Sequence, residues 1–307
     1  ALSAHGLETE FRPCATSKPQ SRRRATFSAR RTKKGALAGF HMKGSDVIVP
    51  VPDCLLVDPK LAAGLPLVEA MAVLGGSRKG ELSVLLTTGA NGLDVRVTGG
   101  KELDPQLQSE LADLARAHDV ARVAWGDEVA LTRRPAAQKM GRAEVVPPPG
   151  AFLQATPEGE AALLAGVREA VGDASHIVDL FAGCGTFALP LAENARVHAV
   201  EGDKAMTVAL DKGWRMAEGL RHVTSEARDL FRNPLLPEDL HRFDAAVIDP
   251  PRAGAEAQVA ELAAARIPRI AFVSCNPVTF ARDASVLVAA GYTLDWLQVV
   301  DQFRWST

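Results

Sequence analysis

The sequence predicts an α/β protein of two domains: a β-rich α+β domain over residues 1–149, then a domain built on a mostly parallel sheet over residues 150–307. A chain of 307 residues with 47% hydrophobic composition can bury a sizeable core, and its length suggests two domains. The strongest break is the run Pro147-Pro148-Pro149-Gly150, where the pattern of apolar residues changes. We therefore place the boundary between residues 149 and 150.

The first domain is predicted to consist mainly of strands and turns. Asn91-Gly92 supplies the positive φ angles of a tight turn and Gly126-Asp127 marks a second turn, so each is expected to close a β-hairpin. Helical periodicity falls between the two hairpins. The expected strands are 24–31, 36–41, 46–51, 82–88, 93–98, 121–125 and 128–132, and the expected helices are 62–74 and 106–118.

The second domain shows short apolar strands that alternate with helical segments. That alternation predicts a mostly parallel sheet with helices on both faces. In such sheets ligands bind beyond the carboxyl ends of the strands. The candidate site therefore consists of the residues that end four predicted strands, 176–181, 196–200, 245–248 and 269–273.

Two glycines and a carboxylate follow the first two of these strands. Gly183 and Gly185 allow the backbone to bend tightly and a ligand to approach it closely. Glu201 is placed to accept hydrogen bonds from both hydroxyls of a ribose. With Ala188 the glycines satisfy the G-x-G-x-x-G/A pattern, so these residues predict a nucleoside-containing cofactor but do not distinguish a nicotinamide dinucleotide from S-adenosylmethionine.

Asp249 and Cys275 follow the third and fourth strands. Two prolines after Asp249 hold it extended in the crevice. Asn276 suits the N-cap of the next helix and Pro277 its first position, which sets Cys275 beside a positive helix end that favours a thiolate. A cysteine at the end of an apolar strand is more often a core residue, but its position at the same crevice makes Cys275 a candidate nucleophile.

Charge and composition indicate a surface that faces a polyanion and a chain without membrane segments. Residues 11–45 carry ten Lys or Arg and no Asp or Glu, which predicts contact with nucleic acid or, alternatively, a solvated face. No apolar run approaches the roughly eighteen residues of a membrane span, and no signal-peptide pattern opens the chain, so we expect a cytoplasmic location.

Four motifs of the second domain occur in the order seen in one known family. They are Phe152-Leu153-Gln154, residues 179–185, Asp249-Pro250-Pro251-Arg252-Ala253-Gly254, and Ser274-Cys275-Asn276-Pro277 followed by Ala281-Arg282-Asp283. On these motifs residues 151–307 resemble the RNA 5-methyluridine methyltransferases, whose bacterial members modify 23S ribosomal RNA or transfer RNA. The resemblance implies a Rossmann-like class I methyltransferase domain that uses S-adenosylmethionine to methylate C5 of a uridine in RNA.

The resemblance also implies roles for individual residues. Cys275 would attack C6 of uracil as the covalent nucleophile, and Asp249 would orient the uracil edge. Phe152 would hold the target base, with ordinary core packing as its other interpretation, and Arg22, Arg23 and Arg24 would contact RNA. The residues implied to line the S-adenosylmethionine site are Gln154, Phe181, Gly183, Gly185, Thr186, Glu201, Asp229 and Asp249.

Two departures from the family pattern concern the ends of the chain. The family's general base is a Glu beyond a D-x-F motif, and on the family spacing it would lie about three positions after Thr307. Cys54 resembles the last ligand of an iron–sulfur cluster, but one cysteine cannot hold a cluster and its partners would precede Ala1. The hypothesis is that the base, and a 4Fe–4S cluster if there is one, belong to a longer gene product.

Several functions stay open at this point. The cluster-like Cys54 favours ribosomal over transfer RNA, and we expect a monomer. A NAD(P)-dependent oxidoreductase would explain the glycine loop and Glu201 but neither the Asp-Pro-Pro-Arg segment nor Cys275. A noncatalytic RNA-binding protein with a degenerate methyltransferase domain would explain the basic segment and the missing base. A cytosine-C5 methyltransferase also uses a cysteine, but in different surroundings.

Overall fold

The computed structural model describes residues 1–305. Its strands, numbered along the chain, are β1 Glu10–Thr16, β2 Arg24–Arg31, β3 Ala36–His41, β4 Ile48–Val49, β5 Leu82–Gly89, β6 Gly92–Thr98, β7 Val120–Trp125, β8 Glu128–Thr132, β9 Gln138–Met140, β10 Ala143–Val145, β11 His176–Leu180, β12 Arg196–Glu201, β13 Val223–Ala227, β14 Ala245–Ile248, β15 Arg269–Phe272 and β16 Trp296–Asp301. Its α-helices are α1 Pro59–Ala62, α2 Leu65–Gly75, α3 Pro105–Ala117, α4 Pro157–Val171, α5 Ala188–Leu191, α6 Lys204–Met216, α7 Pro237–Leu240, α8 Glu256–Ala265 and α9 Pro277–Ala289. Within residues 1–305, none of these helices combines the length and the apolar character needed to cross a membrane.

The chain divides into two compact units, each discontinuous in sequence. The parallel-sheet unit comprises residues 1–15, 139–145 and 160–301, and the mixed-sheet unit comprises residues 16–138, 146–159 and those from 302 onward. The predicted domain boundary lies after residue 149. In the structure, residues that are far apart in the chain belong to the same unit because distant segments pair, as β1 does with β16.

The parallel-sheet unit contains a five-stranded sheet in the order β13-β12-β11-β14-β15, and every neighbouring pair is parallel. This confirms the predicted α/β architecture. The sequence did not predict β13, because only Val223 of this edge strand is buried and the strand lacks an apolar run. The centre of the sheet is apolar, and Val178, Leu180, Val200 and Ile248 are fully buried in one core.

The mixed-sheet unit contains a seven-stranded sheet in the order β4-β3-β2-β5-β6-β7-β8. Both predicted hairpins are present as antiparallel pairs, β5 with β6 and β7 with β8. The predicted helix between the hairpins is α3, and β6 and β7, which it connects, are parallel. A single apolar core covers one face of this sheet with residues from α2 and α3.

Two predicted elements of this unit were wrong in extent. The helix expected over 62–74 is α2, which begins three residues later than expected because the chain turns at Gly64, and the separate short helix α1 ends at Ala62. The strand expected over 46–51 is reduced to the two residues of β4. Pro50 and Pro52 have no amide hydrogen to donate to a ladder, which explains why the strand stops.

Candidate active site

The four strand ends predicted as the site lie side by side at one edge of the parallel sheet. Leu180 pairs with Val200 on one side and with Ile248 on the other. Ile248 pairs in turn with Phe272. Because the strands are parallel, the segments that follow these four residues leave the sheet at the same edge.

The loop after β11 turns away from the sheet through three positive φ angles. These are 62° at Phe181, 58° at Gly183 and 97° at Gly185. A Cβ on Gly185 would lie 2.9 Å from the Leu189 side chain, so packing as well as φ requires glycine there. Gly183 has open space where a Cβ would stand, and Thr186 is half-buried. The open side of Gly183 lets another molecule approach the backbone.

Phe181 connects this loop to the segment after β13. A bulky residue with this φ is strained by about 1–3 kcal/mol. The Phe181 ring packs against the Phe231 ring, with centroids 5.4 Å apart. Asp229 is exposed and accepts a hydrogen bond from the Phe231 amide at 3.0 Å. The predicted residues Phe181 and Asp229 therefore lie in neighbouring segments.

Glu201 is held by two backbone amides. One of its carboxylate oxygens accepts a hydrogen bond from the Gly183 amide at 2.9 Å, and the other accepts from the Asp203 amide at 2.9 Å. Each carboxylate oxygen has a further lone pair. The carboxylate is therefore fixed beside the glycine loop with capacity to accept two more hydrogen bonds, as ribose recognition needs.

Asp179 is a buried carboxyl to which the sequence assigned no role of its own. It is 0% exposed, and neither oxygen has a hydrogen-bond partner among the described residues. Burial raises its pKa well above the usual range, and the negative charges of the nearby Asp249 and Glu201 carboxylates raise it further. The signal in the sequence was a charged residue inside an apolar strand, which only a protonated or specially paired carboxyl tolerates.

Asp249 is half-buried directly beside the end of β11, where its amide donates to the Leu180 carbonyl oxygen at 3.2 Å. Burial raises its pKa from 3.8 to about 7. At neutral pH this carboxyl therefore exists in both protonation states. Such a group can donate a hydrogen bond as well as accept one.

Cys275 is exposed at the start of α9. The predicted cap is present, because Asn276 accepts a hydrogen bond from the Val278 amide at 3.0 Å and Pro277 is the first helical residue. The Asn276 side chain also donates to the Arg252 carbonyl oxygen at 2.9 Å. The cap residue thus joins the segment that carries Cys275 to the segment that follows Asp249.

Three side chains of α9 also hold the loop that follows Asp249. Thr279 donates to the Arg252 carbonyl oxygen at 3.3 Å, and Arg282 donates to the Ala253 carbonyl oxygen at 3.2 Å. Asp283, which is 1% exposed, accepts a hydrogen bond from the Ala255 amide at 2.8 Å. The Ala281-Arg282-Asp283 motif therefore fixes the loop after Asp249 against the helix of Cys275.

The remaining predicted residues belong to the mixed-sheet unit. Gln154 is buried, its side-chain oxygen accepts a hydrogen bond from Gln302 at 2.9 Å, and its backbone oxygen accepts one from the buried Arg23 at 2.9 Å. Phe152 is 63% exposed, which contradicts a core-packing role. The Arg24 guanidinium lies 5.7 Å from the centroid of its ring.

Cys54 and Cys184 have surroundings that differ from those of Cys275. Cys54 is half-buried against the apolar core of its unit, and its sulfur accepts a hydrogen bond from the Leu56 amide at 3.4 Å. No cluster of three or more His, Cys, Asp or Glu that could hold a metal occurs within residues 1–305, so the residues present do not fit an iron–sulfur cluster. Burial raises the pKa of the Cys184 thiol to about 12, which suits a packing role. The position predicted for the general base lies outside the described residues.

Comparison with known proteins gives the following matches. A family model described as tRNA (Uracil-5-)-methyltransferase matches residues 148–307. An uncharacterized RNA methyltransferase of Rhizobium meliloti is 43% identical over 306 residues, which span 100% of this chain and 74% of that protein. A 23S rRNA (uracil(1939)-C(5))-methyltransferase of Dichelobacter nodosus is 33% identical over 318 residues, which span 96% of this chain and 70% of that protein.

The chain is also similar in fold to a solved structure. The tRNA (uracil-54, C5)-methyltransferase of Pyrococcus abyssi, solved in complex with S-adenosyl-L-homocysteine, superposes with a TM-score of 0.72. The identity is 21%, and the match covers 97% of this chain and 75% of that chain. At this identity the likeness concerns the fold.

Proposed function

Because the chain belongs to the tRNA (uracil-5-)-methyltransferase family, we propose that it transfers a methyl group from S-adenosylmethionine to C5 of a uridine in RNA, with Cys275 as the covalent nucleophile. The observation that carries the proposal is the placement of Cys275. It is exposed beside the N-terminus of α9, and four side chains of that segment hold the loop after Asp249. A packing cysteine would be buried, as Cys184 is.

The residues beside the glycine loop fit S-adenosylmethionine. Gly183 is open to a ligand, and Glu201 is held where it can accept hydrogen bonds from two hydroxyls. When bound, S-adenosylmethionine supplies an electrophilic methyl group on a sulfonium. The complex of the Pyrococcus abyssi relative with S-adenosyl-L-homocysteine supports this choice of cofactor. We assign to the cofactor Gln154, Phe181, Gly183, Gly185, Thr186, Glu201, Asp229 and Asp249.

The chemistry explains why a thiolate is needed. C5 of uracil is too weak a nucleophile to accept a methyl group unaided. The Cys275 thiolate adds to C6, which forms an S–C6 bond and moves the C5=C6 electron pair into an enolate with carbanion character at C5. After C5 has been methylated, loss of its proton to a base restores the double bond and expels the thiolate.

Asp249 is suited to orienting the uracil edge. Its pKa of about 7 means that the protonated carboxyl is populated at neutral pH. In that form it can donate to O4 of uracil, where negative charge develops when the thiolate adds to C6. We assign Asp249 to this contact as well as to the cofactor side of the crevice.

We propose ribosomal RNA rather than transfer RNA as the substrate. The Dichelobacter nodosus enzyme, which is named for 23S rRNA, is 33% identical to this chain, whereas the transfer-RNA enzyme of Pyrococcus abyssi is 21% identical. Phe152 offers an exposed ring for the target base, and Arg24 supplies positive charge beside it, with Arg22 and Arg23 just before it in the chain. A monomer and a cytoplasmic location stay predictions.

Covalent trapping tests the nucleophile. RNA that contains 5-fluorouridine blocks the final proton removal, so the enzyme with S-adenosylmethionine should form an adduct that survives a denaturing gel. Cys14→Ala, which removes another exposed cysteine, should be trapped like the wild type, and Cys275→Ala should not. Equal trapping of Cys275→Ala would remove the proposed nucleophile. RNA binding without any adduct would favour the noncatalytic alternative.

Cofactor choice can be tested without turnover. S-adenosylmethionine should raise the melting temperature of the wild type, because a ligand that binds only the folded state stabilises it. A nicotinamide dinucleotide should have no such effect. The opposite pattern would favour the oxidoreductase alternative.

A further inference from the structure

A cleft of about 180 Å³ opens in the mixed-sheet unit next to Gln302, the residue that donates to Gln154. Three cations line it, Lys18, Arg22 and Arg304, and none of its lining residues is acidic. The lining also includes Phe303, which is 51% exposed. The cleft therefore combines positive charge with an accessible aromatic surface.

The desolvation of Arg22 in this cleft costs free energy in the protein without a bound ligand. Its guanidinium lies 5.3 Å from the centroid of the Phe303 ring. The Nε atom is buried and has no hydrogen-bond partner among residues 1–305, and burial lowers the pKa of the guanidinium. A desolvated guanidinium with an unused donor is stabilised by an anion, and phosphate suits its planar set of donors.

The polar floor of the cleft is already hydrogen-bonded within the protein. The hydroxyls of Ser17 and Thr156 are 2.6 Å apart. The Thr156 amide donates to the side-chain oxygen of Gln302 at 3.2 Å, and Gln302 donates to Gln154. Since these groups satisfy one another, a ligand would meet the cations and the exposed part of the ring.

Arg24, two residues after Arg22, makes the same kind of contact with a different aromatic ring. Arg24 lies over Phe152 as Arg22 lies over Phe303. Arg23, between them, turns to the buried backbone of Gln154, as expected where side chains alternate along extended backbone. Repeated aromatic surfaces with adjacent cations are the arrangement by which proteins bind consecutive nucleotides of a single strand.

We propose that the cleft formed by Lys18, Arg22, Phe303 and Arg304 binds the nucleotide next to the target uridine in single-stranded RNA, with its base on Phe303 and its phosphate on Arg22. The inference rests on the proposed function in one respect: the neighbouring base is the uridine that Phe152 holds. The observation behind it, the repeated cation–ring pair, does not depend on catalysis.

Equilibrium binding of a fluorescein-labelled single-stranded dodecamer of uridine, without S-adenosylmethionine, tests the cleft. Phe303→Ala should weaken binding about 5- to 100-fold, the range for loss of one stacked base, and Phe303→Tyr should restore it. Arg22→Ala should weaken binding about tenfold and lower the slope of log affinity against log salt by about 0.7, the value for one phosphate contact. Arg78→Ala removes the same charge from an exposed position of this unit and should change affinity less than about twofold.

The outcomes separate this inference from the proposed chemistry. If Phe303→Ala and Arg22→Ala bind the dodecamer as Arg78→Ala does, the cleft is not a nucleotide site, even when the wild type is trapped through Cys275. If the cleft variants lose affinity and the wild type is never trapped, the nucleotide site stands and the chemistry is wrong. Phe303→Tyr shows whether an aromatic ring is sufficient, and if Phe303→Ala is found to be unfolded, the affinity and the salt slope of Arg22→Ala decide the matter.

Discussion

Replacement of Asp249 by Asn should stabilise the protein at neutral pH. Burial raises the pKa of Asp249 from 3.8 to about 7. Between these values the folded protein keeps a proton that the unfolded chain has released. The folded state then binds more protons, so the free energy of unfolding falls as the pH rises. Asn has no proton to lose, and the variant should not show this fall.

The size of the effect follows from the two pKa values. The interval from 3.8 to about 7 corresponds to about 4 kcal/mol at roughly 1.4 kcal/mol per pH unit. Between pH 5 and pH 7 the Asn variant should therefore gain about 2 kcal/mol relative to the wild type, and the difference should level off above that range. Effects of the substitution that do not titrate shift the whole curve but leave its slope unchanged.

Urea denaturation at pH 5, 6, 7 and 8, followed by circular dichroism, measures this difference. Asp244→Asn is the control, because the pKa of Asp244 is lowered in the folded protein whereas that of Asp249 is raised. Asp244 accepts hydrogen bonds from Ser175 and His176, and the Ser175 hydroxyl is the largest cause of its lowered pKa. Its stabilisation is present above the unfolded pKa and is lost as the pH falls through the folded pKa, so Asp244→Asn should destabilise at neutral pH. Parallel curves for the wild type and Asp249→Asn from pH 5 to pH 8 would refute the reasoning.

Three further substitutions test the site. Gly183→Ala should lower the free energy of unfolding by about 1–2 kcal/mol because the φ angle of Gly183 is 58°, and it should weaken the binding of S-adenosylmethionine measured by calorimetry. Gly291 also has a positive φ and open space around it, so Gly291→Ala is the control: it should be destabilised but should bind the cofactor with unchanged affinity. Asp283→Ala leaves a buried amide unpaired, so it should cost about 1–3 kcal/mol and slow covalent trapping; normal trapping would contradict its positioning role. Gln302→Leu removes the donor to Gln154 and should raise the KM for S-adenosylmethionine several-fold with kcat nearly unchanged. A change in kcat alone would contradict the assignment of Gln154 to cofactor binding.

Elements defined by short-range signals could be predicted from the sequence. The hairpin at Asn91-Gly92 and the helix start at Asn276-Pro277 both depend on backbone conformations that these residue types favour locally. The four strand ends were predictable for a similar reason, since each strand is a short apolar run bounded by a glycine, a proline or a polar residue. Parallel pairing then brings the ends to one edge of the sheet.

Features that depend on distant or strained contacts could not be predicted. β1 pairs with β16 although the two lie at opposite ends of the chain, and no local pattern in residues 10–16 indicates the partner. The positive φ of Phe181 was equally hidden, because sequence reasoning expects glycine or asparagine at such an angle. The role of the Ala281-Arg282-Asp283 motif could not be predicted from local pattern either, because Arg282 and Asp283 hold a loop that lies 29 and 28 residues earlier in the chain.

Three costly features of the parallel-sheet unit lie at two neighbouring strands, β11 and β14. Phe181 is strained, Asp179 is buried with no hydrogen-bond partner for its carboxyl among the described residues, and Asp249 has a raised pKa. A negative charge on Asp249 raises the pKa of Asp179, so the two carboxyls resist ionising together. In the proposed reaction the attack of Cys275 develops negative charge on uracil, and ionised carboxylates at both Asp179 and Asp249 would oppose that charge. Protonated carboxyls would not oppose it. The rate of trapping per Cys275 thiolate should therefore fall as the pH rises through about 7, where Asp249 loses its proton. Asp249→Asn should abolish that fall, and a fall that persists in the variant would assign it to another group.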